Sequence, residues 1–217
     1  MLNEEFFGKL REKAKSYSEE GGSHDFSHTE RVYNLAIKIS EGENVDLDIV
    51  KAAALLHDIA RKKEDENKCI CHADEGARMA PIILKEMNFP EEKISKVAYA
   101  IKIHRHSSDI IPKTKEAAVI QDADRLDALG AITIARMFST GGKNNRPLYK
   151  PEIAIPSLKE VYKKNQVTST IHGFYEKILK ITPETFKTAK AKEIAKERYK
   201  FVQEFLERFI KEWEGKE

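Results

Sequence analysis

Cysteine is nearly absent from this chain of 217 residues: there are two, Cys69 and Cys71, separated by a single residue. That spacing is poor for a mutual disulfide, and two cysteines make no stapled framework. The first residues also lack the apolar core of a secretion signal, so a reducing, cytoplasmic setting is expected. No apolar run is long enough to cross a bilayer, which leaves no membrane partner to expect. Charge of one sign is missing too. Lys and Arg number 38 against 36 Asp and Glu, a formal net charge of +2. Such a balance gives no overall field to favour a nucleic acid polymer as partner. Hydrophobic residues at 41% and charged residues at 34% exclude a disordered chain and suit one globular domain over 1–217.

Strand signals are scarce, and apolar residues recur at helical spacing almost throughout, so the fold class is all-α. Asn3 to Tyr17 reads as a first helix, ended by Gly21-Gly22. Ser27-His28-Thr29-Glu30 has the pattern of a capping box opening a second helix to about Glu41. Asp46 caps a third that carries Ile49, Val50, Ala53, Ala54 and Leu56. The charged stretch from Arg61 to Lys68 reads as a loop. A fourth helix covers His72 to Glu86, and Pro90 sits in the first turn of a fifth ending near His104. Lys115 to Phe138 reads as one long helix stopped by Gly141-Gly142. The core then spans about 20–140, followed by a loop over 141–156 and C-terminal helices over 157–214. Of these, one opens at Ser157 and one at Thr182-Pro183. Apolar faces on the first and last helices would serve as core or as the contact surface of a homodimer.

At the end of the third helix stand two ionisable groups, His57 and Asp58. Burying both is costly unless something pairs them, and a divalent cation does so because imidazole and carboxylate are ordinary donors. His28, His72, His104, His106 and Asp124 lie on or beside other helices, and helical bundles build metal sites by projecting ligands inward from several helices.

The order of His28, then His57-Asp58, then Asp124 resembles the signature of the HD-domain metal-dependent phosphohydrolase superfamily. Further stretches resemble a bacterial and archaeal nucleotide-pyrophosphohydrolase-like branch: His24 to His28, Gln121 to Gly130, Gly141 to Tyr149 and His172 to Lys177. The resemblance covers nearly the whole chain. It implies an all-helical HD fold in which His28, His57, Asp58 and Asp124 bind one divalent ion. Two imidazoles and two carboxylates without thiolate suit Mn²⁺, Fe²⁺, Co²⁺, Ni²⁺ or Zn²⁺. Mg²⁺ is less well served, since it prefers more oxygen. His72-Ala73-Asp74-Glu75-Gly76 resembles a segment of two-metal relatives. There His72, His104 and His106 would hold a second ion or donate to phosphate oxygens.

Other roles follow from position or from the resemblance. Asp127, three residues after Asp124, would orient a ligand histidine or take a proton from water. Glu64-Asp65 resembles an acidic pair that serves some relatives as acid or water-orienter, in surroundings that equally suit a solvated loop. Arg31, Arg61 and Arg125 adjoin the ligand positions and suit either phosphate contacts or structural ion pairs. Lys143, Arg146 and Tyr149 on the long loop would grip a polyphosphate, and the resemblance implies that His172 and Lys177 close the pocket. The expected partner is a small phosphate or nucleotide, and the expected activity a metal-dependent phosphohydrolase, nearest to a nucleoside triphosphate pyrophosphohydrolase. Two alternatives stand beside it. One is a phosphodiesterase of a cyclic or linear dinucleotide, although the Gly-Tyr-Pro extension of such enzymes is missing after His104. The other is a non-catalytic module that senses a nucleotide.

Overall fold

The computed structural model describes residues 2–18, 26–105, 110–158 and 168–216, and among these the regular structure is helical. Two compact units emerge, Met1–Arg125 and Leu126–Glu217.

In the first unit the helices are α1 (Glu4–Lys15), α2 (Phe26–Ser40), α3 (Leu47–Leu56), α4 (Arg61–Glu66), α5 (His72–Glu86), α6 (Glu91–Lys102) and α7 (Lys115–Leu126). The central rod is α3. Its Leu-Asp-Ile-Val-Lys-Ala-Ala-Ala-Leu-Leu sequence is apolar nearly all round, and such a helix has to be enclosed. Every residue from Ile49 to Leu56 except Lys51 is buried. Three successive alanines keep the rod thin where α1, α2 and α6 pack on it. Asp46 caps it by accepting from the Asp48 amide, and the Asp46 amide in turn donates to Glu116 of α7. Because α3 runs through the interior, its last turn delivers His57 and Asp58 there. No helix among the described residues is long and apolar enough to cross a membrane.

Two close contacts fix the elements around that end. Gly76 of α5 faces Ile101 of α6 and the His57 carbonyl, so a Cβ there would lie 3.3 Å from Ile101 Cγ2 and 3.6 Å from His57 O. The buried Gln121 of α7 donates to the carbonyls of Ile103 and Ile110, at 3.1 and 3.3 Å. The first sets the start of α5 against the end of α3, and the second ties the turn after α6 to α7.

The second unit contains α8 (Ala131–Lys143), α9 (Thr170–Glu176), short 3-10 turns at Ile178–Lys180 and Pro183–Thr185, and α10 (Ala189–Trp213). Phe138, Phe174, Phe205 and Phe209 form its aromatic core, with ring centroids 6.0 to 6.2 Å apart. The segment 144–158 lies along α9. Thr170 and Ile171 donate from their backbone amides to the carbonyls of Pro147 and Leu148, at 2.9 and 3.0 Å.

Several expectations change. Arg61 to Glu66 is a helix, not a loop, because its charges are spent on one another and on α5: Arg61 on Glu64, and Lys63 on Glu75. Ser27 is not a cap, since α2 is already under way at Phe26 and the Ser27 hydroxyl accepts from Arg31. Lys115 to Phe138 is two helices. Gly130 breaks them at φ 89°, a left-handed conformation that only glycine adopts without strain, pressed against Arg198. Gly141-Gly142 does not stop α8, which runs to Lys143, so the loop begins after it. A Cβ at Gly141 would stand 2.3 Å from Thr170 Oγ1, so that glycine serves close packing of α8 on α9. The helix expected from Ser157 falls partly outside the described residues, and its described part is capped at Ser169. The last helix opens not at Thr182 but at Thr188, and the Thr188 hydroxyl accepts from the Ala191 amide.

One buried ion pair anchors this arrangement. Asp48, 2% exposed, accepts from Lys93 Nζ at 2.7 Å and from the Leu2 amide at 2.9 Å. Burial alone would raise the Asp48 carboxyl, but Lys93 and the Leu2 amide hold it below its ordinary value. A carboxyl lowered in this way stabilises the fold above its unfolded value and loses that contribution as pH falls through the folded one. Asp48→Asn should therefore cost about 2 kcal/mol at pH 7, and the gap from the parent should close as the pH drops below 3.8. Urea unfolding at several pH values tests this; equal stability of the two proteins at pH 7 would refute it.

Candidate metal centre

Five elements of the first unit send an ionisable side chain to one place. His28 comes from the first turn of α2, His57 and Asp58 from the end of α3, His72 from the first residue of α5, His104 from the turn after α6, and Asp124 from the last turn of α7. Asp58 lies at the middle. Its Oδ2 is 3.8 Å from the Nε2 atoms of both His28 and His57. Its Oδ1 is 3.3 Å from His72 Nε2 and 3.7 Å from His104 Nε2. His28 Nε2 is also 3.3 Å from His57 Nε2 and 3.3 Å from Asp124 Oδ1.

The donors thus form two sets, each within 4.8 Å: His28, His57 and Asp58, and Asp58, His72 and His104. Two ligands bound at about 2.1 Å to one ion stand roughly 3.0–3.4 Å apart, so the separations suit an ion in each set after small contractions. Tautomers sharpen the point. His57 Nδ1 donates to Ala54 O at 2.8 Å, and His104 Nδ1 donates to Ile101 O at 2.7 Å. His72 Nδ1 donates to Glu64 Oε2 at 2.8 Å. Each of these rings therefore turns a lone pair inward from Nε2. The lone pairs of His72 and His104 face each other at 3.2 Å, an unfavourable contact that a cation between them would relieve.

Protonation agrees with that role. Burial lowers His57 and His104 below the usual imidazole value, and burial outweighs Asp58 in bringing His72 down to about 4. Burial would raise Asp58, but His57, Arg61, His104 and His72 hold it well below the carboxylate range. Asp124 is lowered likewise against its burial, chiefly by His28. At neutral pH Asp58 and Asp124 are carboxylates and His57, His72 and His104 are neutral imidazoles, which is the state in which such groups bind a divalent ion.

The remaining sequence-derived residues divide. Arg61 sits at the centre, 3.3 and 3.4 Å from the two Asp58 oxygens. Glu64 is there too, gripped by Arg61 at 2.8 Å and Arg105 at 3.1 Å. Asp65, by contrast, is exposed and paired with Lys68. Arg31, on α2, donates to Ser27, and Arg125 lies on α7 beside Asp124. His106 lies outside the described residues, as do His24 and Asp25. In the second unit Asp127 is buried and accepts from Arg136 at 3.0 Å. His172 is buried on Ser169 Oγ and the Ile153 carbonyl, and Tyr149 packs on His172 and Trp213, so both pin the 144–158 segment. Arg146 is half-buried, its backbone amide on Gly141 O; Lys143 and Lys177 are exposed. Arg105 went unnoticed in the sequence as a partner of this centre. Its position between His104 and His106 was the only signal.

Known proteins resemble this chain in sequence and in fold. The family described as HD domain matches residues 25–129. The uncharacterised protein YpgQ of Bacillus subtilis is 29% identical over 91% of this chain and 88% of its own length. An HD-superfamily hydrolase from Bacillus thuringiensis superposes with a TM-score of 0.77 at 34% identity, covering 97% of this chain and 98% of that one. The crystal structure of B. subtilis YpgQ in complex with ADP superposes with a TM-score of 0.72 at 28% identity, over 96% and 95% of the two chains.

The lowered histidines have a measurable consequence. Without metal, the unfolded chain takes up protons near 6.5 while folded His72 resists until about 4, so stability should fall as pH drops through that interval. The share due to His72 is at most on the order of 3 kcal/mol. In chelator-treated protein, His72→Gln should flatten the fall in melting temperature between pH 6.5 and pH 4. Parallel curves for parent and variant would contradict it.

Proposed function

The chain belongs to the HD superfamily of metal-dependent hydrolases, and from that premise we propose that it is a phosphohydrolase acting on a nucleotide. Hydrolysis of a nucleoside triphosphate to monophosphate and pyrophosphate is the leading reaction. The observation that carries the reading is the pair of inward-facing donor sets that share Asp58. His28, His57, Asp58 and Asp124 are assigned to one divalent ion, and Asp58, His72 and His104 to a second. Their nitrogen and oxygen donors suit Mn²⁺, Co²⁺, Ni²⁺, Fe²⁺ or Zn²⁺ better than Mg²⁺. When bound there, such ions supply Lewis acidity toward a phosphoryl oxygen and lower the pKa of water.

The chain's own groups have distinct tasks. The carbonyls of Ala54 and Ile101 fix the His57 and His104 rings, so their lone pairs need no reorientation. Asp58 keeps its charge in a buried place and presents one oxygen to each set. Asp124 is 28% exposed and marks the open side, from which a phosphate would approach. Arg61, 23% exposed beside Asp58, and Arg105, 37% exposed, offer guanidinium donors for phosphate oxygens. The nucleotide is inferred from the ADP complex of B. subtilis YpgQ.

The two donor sets also favour a second reading, hydrolysis of a phosphodiester in a cyclic or linear dinucleotide, since paired ions suit both the attacking and the leaving oxygen. Products separate the two. Protein supplied with Mn²⁺ or Co²⁺ is expected to release pyrophosphate from nucleoside triphosphates, and Asp58→Ala should lower turnover by more than about a hundredfold with helical circular dichroism retained. Normal turnover by Asp58→Ala would overturn the site. Hydrolysis of dinucleotides alone would select the phosphodiesterase, and nucleotide binding without turnover would select a sensor.

A further inference from the structure

The three rings whose tautomers are fixed are not fixed alike. His57 and His104 rest on backbone carbonyls of their own helices, which no side-chain change removes. His72 instead depends on one side chain, Glu64, from a different helix. Glu64 is itself immobilised. Its Oε2 accepts from both His72 Nδ1 and Arg61 Nη1 at 2.8 Å, and its Oε1 accepts from Arg105 Nη1 at 3.1 Å. Lys63 ties α4 to α5 beside it through Glu75, at 2.7 Å.

We propose that Glu64 is a positioning residue for the second ion: held by Arg61 and Arg105, it locks the Nδ1–H tautomer of His72 and so keeps the Nε2 lone pair aimed at His104 and Asp58. This deepens the reading above and rests on its second donor set. Both its oxygens are engaged, Oε2 by His72 and Arg61 and Oε1 by Arg105, which holds the carboxylate in this place. The asymmetry has a consequence for the order of loading. The first set meets Glu64 only indirectly, through the Arg61 that contacts both Glu64 and Asp58, whereas the second loses its fixed tautomer and the nearby negative charge when Glu64 is removed. A carboxylate that orients a ligand histidine in this way changes metal affinity by about 10- to 100-fold.

Co²⁺ titration of the chelator-stripped full chain tests the assignment, read by calorimetry and by the visible absorption of bound Co²⁺. The parent should take up two ions. Glu64→Ala should keep the first with unchanged affinity and weaken the second by about 10- to 100-fold. Glu64→Gln, whose amide oxygen still accepts from His72 Nδ1–H, should recover part of that loss. A parent that binds a single ion would refute the two-ion reading itself, whatever the variants do. Two ions in the parent with both affinities unchanged in Glu64→Ala would overturn the positioning role alone. Loss of both ions from Glu64→Ala would overturn its restriction to the second set. Should Glu64→Ala fail to keep its helical circular dichroism, Glu64→Leu, which cannot accept from His72 Nδ1–H, decides by the same criteria: a second ion weakened with the first unchanged supports the role, and two unchanged affinities refute it.

Discussion

A charged carboxylate in a nearly closed place is the constraint around which the first unit is built. The Asp58 side chain is 8% exposed, and burial of an unpaired anion would cost several kcal/mol. Four imidazole nitrogens and one guanidinium stand within 4 Å of it. None of these comes free: each needs its own helix to arrive at the right end. The packing of α2, α5 and α6 can therefore be understood as what brings His28, His72 and His104 to a single carboxylate, with Asp124 of α7 set on His28.

That packing is inexpensive because α3 is thin. Ala52, Ala53 and Ala54 are fully buried, so neighbouring helices lie close without large cavities to fill. Gly76 continues the same device one element away, letting α5 approach the His57 carbonyl. The second unit uses a different means. Its segment 144–158 is held by backbone hydrogen bonds to α9, by the buried His172 and by Tyr149 in an aromatic cluster, where each pair adds about 0.5–1.5 kcal/mol beyond burial. His172 and Tyr149, which the sequence suggested for substrate contact, spend their polar and aromatic surfaces there.

Much of this was legible along the chain and some was not, for physical reasons. The limits of α5, from His72 to Glu86, and the Asp46 cap of α3 follow from local periodicity and local hydrogen bonding. The helix at Arg61–Glu66 was missed because composition describes a solvated surface equally well, and only Glu75, His72 and Arg105 make it otherwise. The break at Gly130 and the continuity through Gly141 were misjudged for a related reason. Whether a glycine ends a helix or admits a neighbour depends on what lies opposite, here Arg198 and Thr170.

The sequence by itself determined the helical class, through the spacing of apolar residues, and the order of His28, His57-Asp58 and Asp124 that marks the HD family. Only the tertiary structure decided that the donors fall into two sets sharing Asp58, that Glu64 meets His72 Nδ1, and that Asp65 pairs with Lys68 instead. His57 and His28 are 29 positions apart, and His72 and His104 are 32 apart. Helical periodicity relates residues three or four positions apart, while the approach of two lone pairs across such distances is set by how whole helices pack.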